Sequence, residues 1–132
     1  MSTCCTTQPA PRVKHAAALA TLYQALADPT RLRVLAILAD APGGELCVCH
    51  IHGGLAISQP TVSRHLATLR RAGLVAARRD GIWMHYRIAR PDDPVLAAVV
   101  DAALHALGHV DGTTRDRTRT ARVVESAPTP AA

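Results

Sequence analysis

A chain of 132 residues has room for one domain around a single core. No stretch approaches the ~18 uncharged apolar residues that span a bilayer, and Met1–Pro11 lacks the basic-then-apolar plan of a secretory signal, so a cytoplasmic protein with no membrane segment is expected. In that compartment the four cysteines are ligands or reactive thiols rather than a disulfide framework. The net charge of +5 is unevenly placed: Ser58 to Arg90 holds seven arginines against one acid, Asp80. Arginine concentrated among Ser, Thr, Gln and His suits a phosphate-contacting surface, the alternative being a solvated face of a basic protein.

Residues 1–12 are polar, contain two prolines and read as a flexible arm; residues 111–132 lack sustained periodicity and read as a disordered tail. The intervening 13–110 reads as one domain. Leu19, Leu22, Tyr23 and Leu26 follow helical spacing and predict a helix over 13–27. Asp28-Pro29 stops it and starts a second, with Asp28 as N-cap, Pro29 in the first turn and an inward stripe of Leu32, Leu35, Leu38 and Ala39. After the turn Ala41-Pro42-Gly43-Gly44, a short third helix is predicted from Glu45 to His52, with Gly53-Gly54 as its stop.

Ser58 caps a fourth helix, whose stripe is Val62, Leu66 and Leu69 and which ends at Gly73. Leu74–Arg79 and Ile82–Ala89 read as strands joined by an Asp80-Gly81 turn. Asp92-Asp93-Pro94 opens a last helix with a wide aliphatic stripe, Val95 to Leu107. A second subunit would cover that excess, with Leu22 and Leu104 as candidate contact positions.

This order predicts a mostly α fold with a β-hairpin wing: a winged helix-turn-helix, dimeric through its first and last helices. In that arrangement the fourth helix enters the major groove of double-stranded DNA. Gln59, Thr61, Ser63 and Arg64 occupy its N-terminal half with His65 just beyond. Gln pairs bidentately with adenine and Arg with guanine. Arg79 and Arg87 of the wing are candidate phosphate contacts.

Cys47 and Cys49 are one residue apart, about 200° around a regular helix, which does not aim both at one point. At a helix start the first turn can distort, and the N-terminal dipole favours thiolates. Cys4 and Cys5 lie in an arm able to reach another surface. Together the two pairs can assemble a three- or four-thiolate site for a soft ion.

Four segments carry a resemblance to a known family: Leu26-Ala27-Asp28-Pro29-Thr30-Arg31-Leu32, Glu45-Leu46-Cys47-Val48-Cys49, Ser58 through Leu66, and Leu69 through Val75. The wing's Arg79-Asp80-Gly81 and Tyr86-Arg87-Ile88 also fit. The chain resembles the ArsR/SmtB metal-sensing repressors from about Ala17 to Leu107. The resemblance implies a homodimeric repressor that is not an enzyme and that releases operator DNA on binding an ion. It implies a metal site at Cys4, Cys5, Cys47 and Cys49. The Glu-Leu-Cys-Val-Cys segment is similar to that of arsenite and antimonite sensors, and to cadmium and lead sensors that add arm cysteines. Here His50 replaces the usual acid after the second cysteine, and the later third-helix cysteine of one arsenite group is absent. The vicinal Cys4-Cys5 pair is similar to another arsenite-sensing group.

Trivalent arsenic takes three thiolates in a pyramid, whereas cadmium and lead accept four, so As(III) or Sb(III) is the expected inducer and Cd(II) or Pb(II) the alternative. Cys4 and Cys5 would then act with Cys47 or Cys49, the two being indistinguishable by sequence. His50 and His52 beside Cys49 offer a mixed zinc site instead. Asp101, His105 and His109 recur on one face of the last helix but do not match the family's zinc spacing, and read as a solvated face. A thiol enzyme using Cys47 or Cys49 lacks an oxyanion element or phosphate loop. A redox-sensing repressor is the remaining alternative.

Overall fold

The computed structural model describes residues 9–126, with side chains from residue 16 onward. Helix α1 spans Pro9–Leu26 and α2 Pro29–Ala39; α3 spans Val48–Leu55 and α4 Gln59–Arg71. Strand β1 (Leu46–Cys47) precedes α3, and the hairpin β2 (Val75–Asp80) and β3 (Trp83–Ile88) follows α4. Helix α5 spans Pro94–Leu107 and α6 Thr114–Ser126. The fold is the expected one, mostly helical with a hairpin wing. None of the described helices is singly long and apolar enough to cross a membrane.

Two helix starts follow directly from their caps. The Asp28 carboxylate accepts hydrogen bonds from the Thr30 and Arg31 amides, and Asp93 accepts from Val95 and Leu96, each with proline in the first turn. Ser58 stands at the N-cap of α4 as expected, but its hydroxyl bonds Thr61 Oγ1 at 3.0 Å and caps no backbone amide. One core joins the elements: Leu22, Leu35, Leu38, Ile51, Leu55, Leu66, Leu69, Leu74 and Val100 are essentially without solvent contact. Leu22 therefore belongs to the subunit's own interior and is not a dimer contact.

Further expectations are corrected. Helix α1 begins at Pro9, inside the predicted arm. The predicted third helix loses its first turn to β1, where Leu46 pairs with Tyr86 and Cys47 with His85 of β3. The wing's register pairs Asp80 with Trp83, so the turn residues are Gly81 and Ile82 rather than Asp80-Gly81. Gly81, at φ +62°, takes the left-handed conformation that this two-residue turn requires.

The largest correction concerns the tail. Residues 111–113 make one 3-10 turn, and α6 packs along α3. Gly53-Gly54 is accordingly no helix stop; α3 continues to Leu55 and ends at Ala56 in the left-handed region. The two glycines form the floor on which α6 lies. A Cβ on Gly54 would stand 2.0 Å from Thr120 Oγ1 and 3.0 Å from the Thr120 Cα, so backbone would have to move. Asp116 is buried and receives Nε and Nη2 of Arg33 at 2.7 and 2.9 Å, while Arg33 Nη2 also donates to the Leu55 carbonyl. Arg119 donates to the Gly54 carbonyl, and Arg117 lies against Asp40. A helix docked by ion pairs, one close backbone approach and only a short apolar patch around Val123 and Val124 has little of the apolar periodicity by which helices are recognised in a sequence.

Candidate thiol site and nucleic-acid interface

Cys47 is the last residue of β1 and the N-cap of α3, with φ −68° and ψ 148°. Because its backbone is extended, the 200° separation expected of a helical Cys-x-Cys does not apply. The Cys49 amide donates to Cys47 Sγ at 3.4 Å, and the two sulfurs are 2.7 Å apart with Cys49 as donor. Cys47 is buried and Cys49 half-buried. The structure thus brings together the two thiols that the spacing alone had separated.

The expected acidification by the helix N-terminus is absent at Cys49. Burial, followed by its hydrogen bond to Cys47 and the charge of that sulfur, pushes the Cys49 thiol up to about 11. Burial thus favours the thiol over the thiolate at Cys49, which disfavours nucleophilic catalysis there and makes capture of an ion that must expel the thiol proton dependent on pH.

The donor chemistry also discriminates between ions. A tetrahedral ion with bonds of ~2.3 Å holds its sulfurs ~3.8 Å apart. An ion that keeps a lone pair compresses the angle between its ligands and accepts a closer pair. The pair at 2.7 Å must open to chelate either ion, and by less for the pyramidal one.

Among the described residues, no three His, Cys, Asp or Glu side chains converge on one point, so further ligands to such an ion must come from elsewhere. Cys4 and Cys5 lie outside the described residues. His50 is buried within α3, and the histidine-rich face of α5 does not form a site: Asp101 is engaged by Arg90, and the His105 and His109 rings meet edge to face at 5.0 Å.

A shallow groove of about 300 Å³ runs beside Cys47, lined by Glu45, His50, Arg78, His85 and Val124 among others. The Arg78 guanidinium makes a forked contact with Glu45, at 2.8 Å from Nη2 and 3.1 Å from Nε. This guanidinium holds the Glu45 carboxyl below its ordinary range.

The recognition helix presents Gln59 and Arg64 to solvent, with Thr61 and Ser63 half-buried between them. Arg64 Nη2 donates to Thr61 Oγ1 at 3.3 Å, which orients the guanidinium along the helix. His65 is placed differently: its Nδ1 lies 3.4 Å from Arg31 Nη1. Arg31 also donates to the carbonyls of Gln24 and Ala25 at the end of α1. His65 therefore ties the recognition helix to the α1–α2 corner, a role that its spacing in the sequence did not reveal. Arg79 and Arg87 are exposed on the wing, and Arg79 Nε donates to the Gly81 carbonyl.

On the far side, α1 and α5 expose a shallow apolar trough of about 380 Å³ lined by Tyr23, Leu26, Ala98, Val99, Ala102 and Ala103. Tyr23 is 55% exposed there.

A family model described as "Bacterial regulatory protein, arsR family" matches residues 28–77, from the cap of α2 into the wing. The "Arsenical resistance operon repressor" of Escherichia coli is 47% identical over 83 residues, a match covering 62% of this chain and 68% of that one. The homodimeric winged helix-turn-helix domain Mb0332 of Mycobacterium bovis, solved by NMR, superposes with a TM-score of 0.60 at 32% identity. That match covers 80% of this chain and 94% of the solved one. The AntR antimony-specific transcriptional repressor superposes with a TM-score of 0.55 at 31% identity, covering 70% of this chain and 79% of AntR. These proteins are transcriptional regulators, not enzymes.

Proposed function

Because this chain belongs to the arsR family of bacterial regulatory proteins and is a winged helix-turn-helix transcriptional repressor, we propose that it releases its operator when trivalent arsenic, or antimony, is captured by its cysteines. The observation that carries this reading is the pair Cys47 and Cys49, whose sulfurs stand 2.7 Å apart at the start of α3. They supply adjacent ligands on the first helix of the helix-turn-helix. Cys4 or Cys5 supplies the third, from the same or the partner subunit. The relatives' names are consistent with a metalloid inducer: one is an arsenical resistance repressor and another is antimony-specific. Cadmium or lead on all four thiolates is the second reading, and zinc a lesser one. The adjacency of Cys47 and Cys49 favours the three-coordinate ion over either.

The repressor acts in the cytoplasm as a homodimer, with the trough between α1 and α5 meeting its copy. Two recognition helices then enter successive major grooves of double-stranded DNA. Gln59, Thr61, Ser63 and Arg64 face base edges, while Arg79 and Arg87 lie along phosphates. His65 is retained in the interface as the residue that fixes the helix against Arg31 rather than as a base contact.

The two groups of DNA contacts differ in what their loss does. R79Q or R87Q should weaken binding to every sequence alike and lower the slope of log affinity against log salt by about one per lost phosphate contact. Q59A or R64A should relax sequence preference by about 1–3 kcal/mol at the contacted base pair. Fluorescence anisotropy with operator and scrambled duplexes across a salt series measures both, and addition of arsenite to the same complexes tests release. Unchanged affinity in all four variants at moderate salt contradicts this DNA interface; a wild-type complex that withstands arsenite contradicts the inducer.

A further inference from the structure

The thiol pair is built into the wing as well as into the helix-turn-helix. In the sheet order β1-β3-β2, Cys47 pairs with His85 and His85 pairs with Arg78, so a single cross-strand rung runs from a thiol to the outer strand of the wing. Over that rung lies a second link. Glu45, the residue before β1, takes the Arg78 guanidinium in a forked ion pair at 2.8 and 3.1 Å, reaching across the central strand. Both side chains keep substantial solvent contact, so the pair adds little to stability. What this clasp adds is a second tie, side chain to side chain, between the segment that carries β1 and the outer strand of the wing.

Resting on the arsenite-release reading above, we propose that Glu45 and Arg78 are positioning residues that transmit ion capture at Cys47 and Cys49 to the wing, so that the wing is displaced together with α3. Cys47 ends β1, so any shift of its sulfur toward an ion carries the β1 backbone with it. The clasp, two residues upstream, passes that shift to β2. Without it, β1 is tied to the wing only through its two pairings with β3, and its shift can be absorbed there while the wing keeps its place on the DNA.

The protein carries its own reporter. Its one tryptophan, Trp83, lies in β3 at the wing's turn, paired with Asp80. The test uses the full chain as wild type, E45Q and E45D, titrated with arsenite and separately with cadmium. Bound ion is counted by loss of titratable thiols, wing movement by Trp83 emission, and release by operator anisotropy. In the wild type, ion binding should shift Trp83 emission and weaken operator binding about 100-fold. E45Q should fold, bind operator within threefold of the wild type and bind the ion at the same stoichiometry. Its Trp83 should no longer respond, and release should fall below tenfold. E45D, which keeps the carboxylate, should restore most of the response.

Wild-type release or an intact Trp83 response in E45Q overturns the proposal. So does loss of ion or operator binding in both variants, which would make Glu45 part of the site's framework. A wild type that answers cadmium but not arsenite overturns the arsenite reading, and E45Q then judges the clasp in the same way with cadmium. A wild type that answers neither overturns both.

Discussion

Replacing Cys4 and Cys5 together with serine should leave operator binding intact and abolish release by arsenite. In the structure Cys47 and Cys49 are a ready-made pair, but two thiols hold a pyramidal ion less firmly than three. On the proposed reading, the third ligand would come from Cys4 or Cys5 and would tie the N-terminal segment to α3, the helix that leads into Ser58 and the recognition helix. With that tie lost, any ion still held on α3 constrains only the turn that carries it. A release of about 100-fold corresponds to a coupling of about 2.7 kcal/mol, within the usual range for allostery, and the double variant should lose nearly all of it. C47S and C49S should each cause a comparable loss, because the sulfurs are adjacent and both are available to one ion. Operator anisotropy with and without arsenite measures each case. A normal arsenite response in C4S/C5S contradicts a site that joins the N-terminal residues to α3.

R33M should be the most destabilising of the substitutions considered. It leaves the Asp116 carboxylate, 4% exposed, without its forked partner and with only Arg119 nearby, at 3.7 Å. Breaking a buried pair by removing the cation costs about 3–5 kcal/mol; the partial exposure of Arg33 and the proximity of Arg119 bring the expectation to about 2–4 kcal/mol. D116N removes the buried charge and keeps an acceptor, so about 1–2 kcal/mol is expected. Urea unfolding at one fixed protein concentration, needed because a dimer's apparent stability depends on concentration, measures both. Hydrogen exchange should locate the R33M loss first in α6. A larger effect of D116N than of R33M contradicts the view that the buried carboxylate is the costly group.

Much of the fold was legible because its signals are local. Asp28-Pro29 and Asp93-Pro94 announce two helix starts by chemistry that needs no tertiary context, and both caps form as expected. The wing was legible from alternation and a glycine turn, although the register places Gly81, not Asp80, first in the turn, because only Gly81 needs a positive φ. The thiol pair was legible in composition but not in geometry. Counting 100° per residue presumes that Cys47 is helical, whereas β1 pairing with β3 holds it extended, and a pairing partner some forty residues away is invisible to a local rule.

Helix α6 was missed for a different reason. Its sequence, Thr-Arg-Asp-Arg-Thr-Arg-Thr-Ala-Arg-Val-Val-Glu-Ser, is polar because ion pairs to Arg33 and Asp40 dock it. The only trace of its partner surface is the Gly53-Gly54 pair, which has the same appearance as a helix stop. His65 belongs with these long-range cases, since its role depends on Arg31, 34 residues before it.

Control of DNA release by a three-thiolate metalloid site has a signature in proton balance. Arsenous acid, neutral in water, exchanges its hydroxyl groups for thiols with loss of water and no net proton. Cadmium, lead and zinc must instead expel a proton from each thiol they bind, and burial holds the Cys49 thiol up at about 11. Operator release is therefore to be titrated with arsenite, antimonite, cadmium, lead and zinc at pH 6.5 and again at pH 7.5. Release at the lowest concentration by arsenite or antimonite, with a midpoint that moves less than about twofold between the two pH values, is the expected result. Release at lower concentration by cadmium or lead, with a midpoint falling steeply as pH rises, would contradict the metalloid site and establish the four-thiolate one.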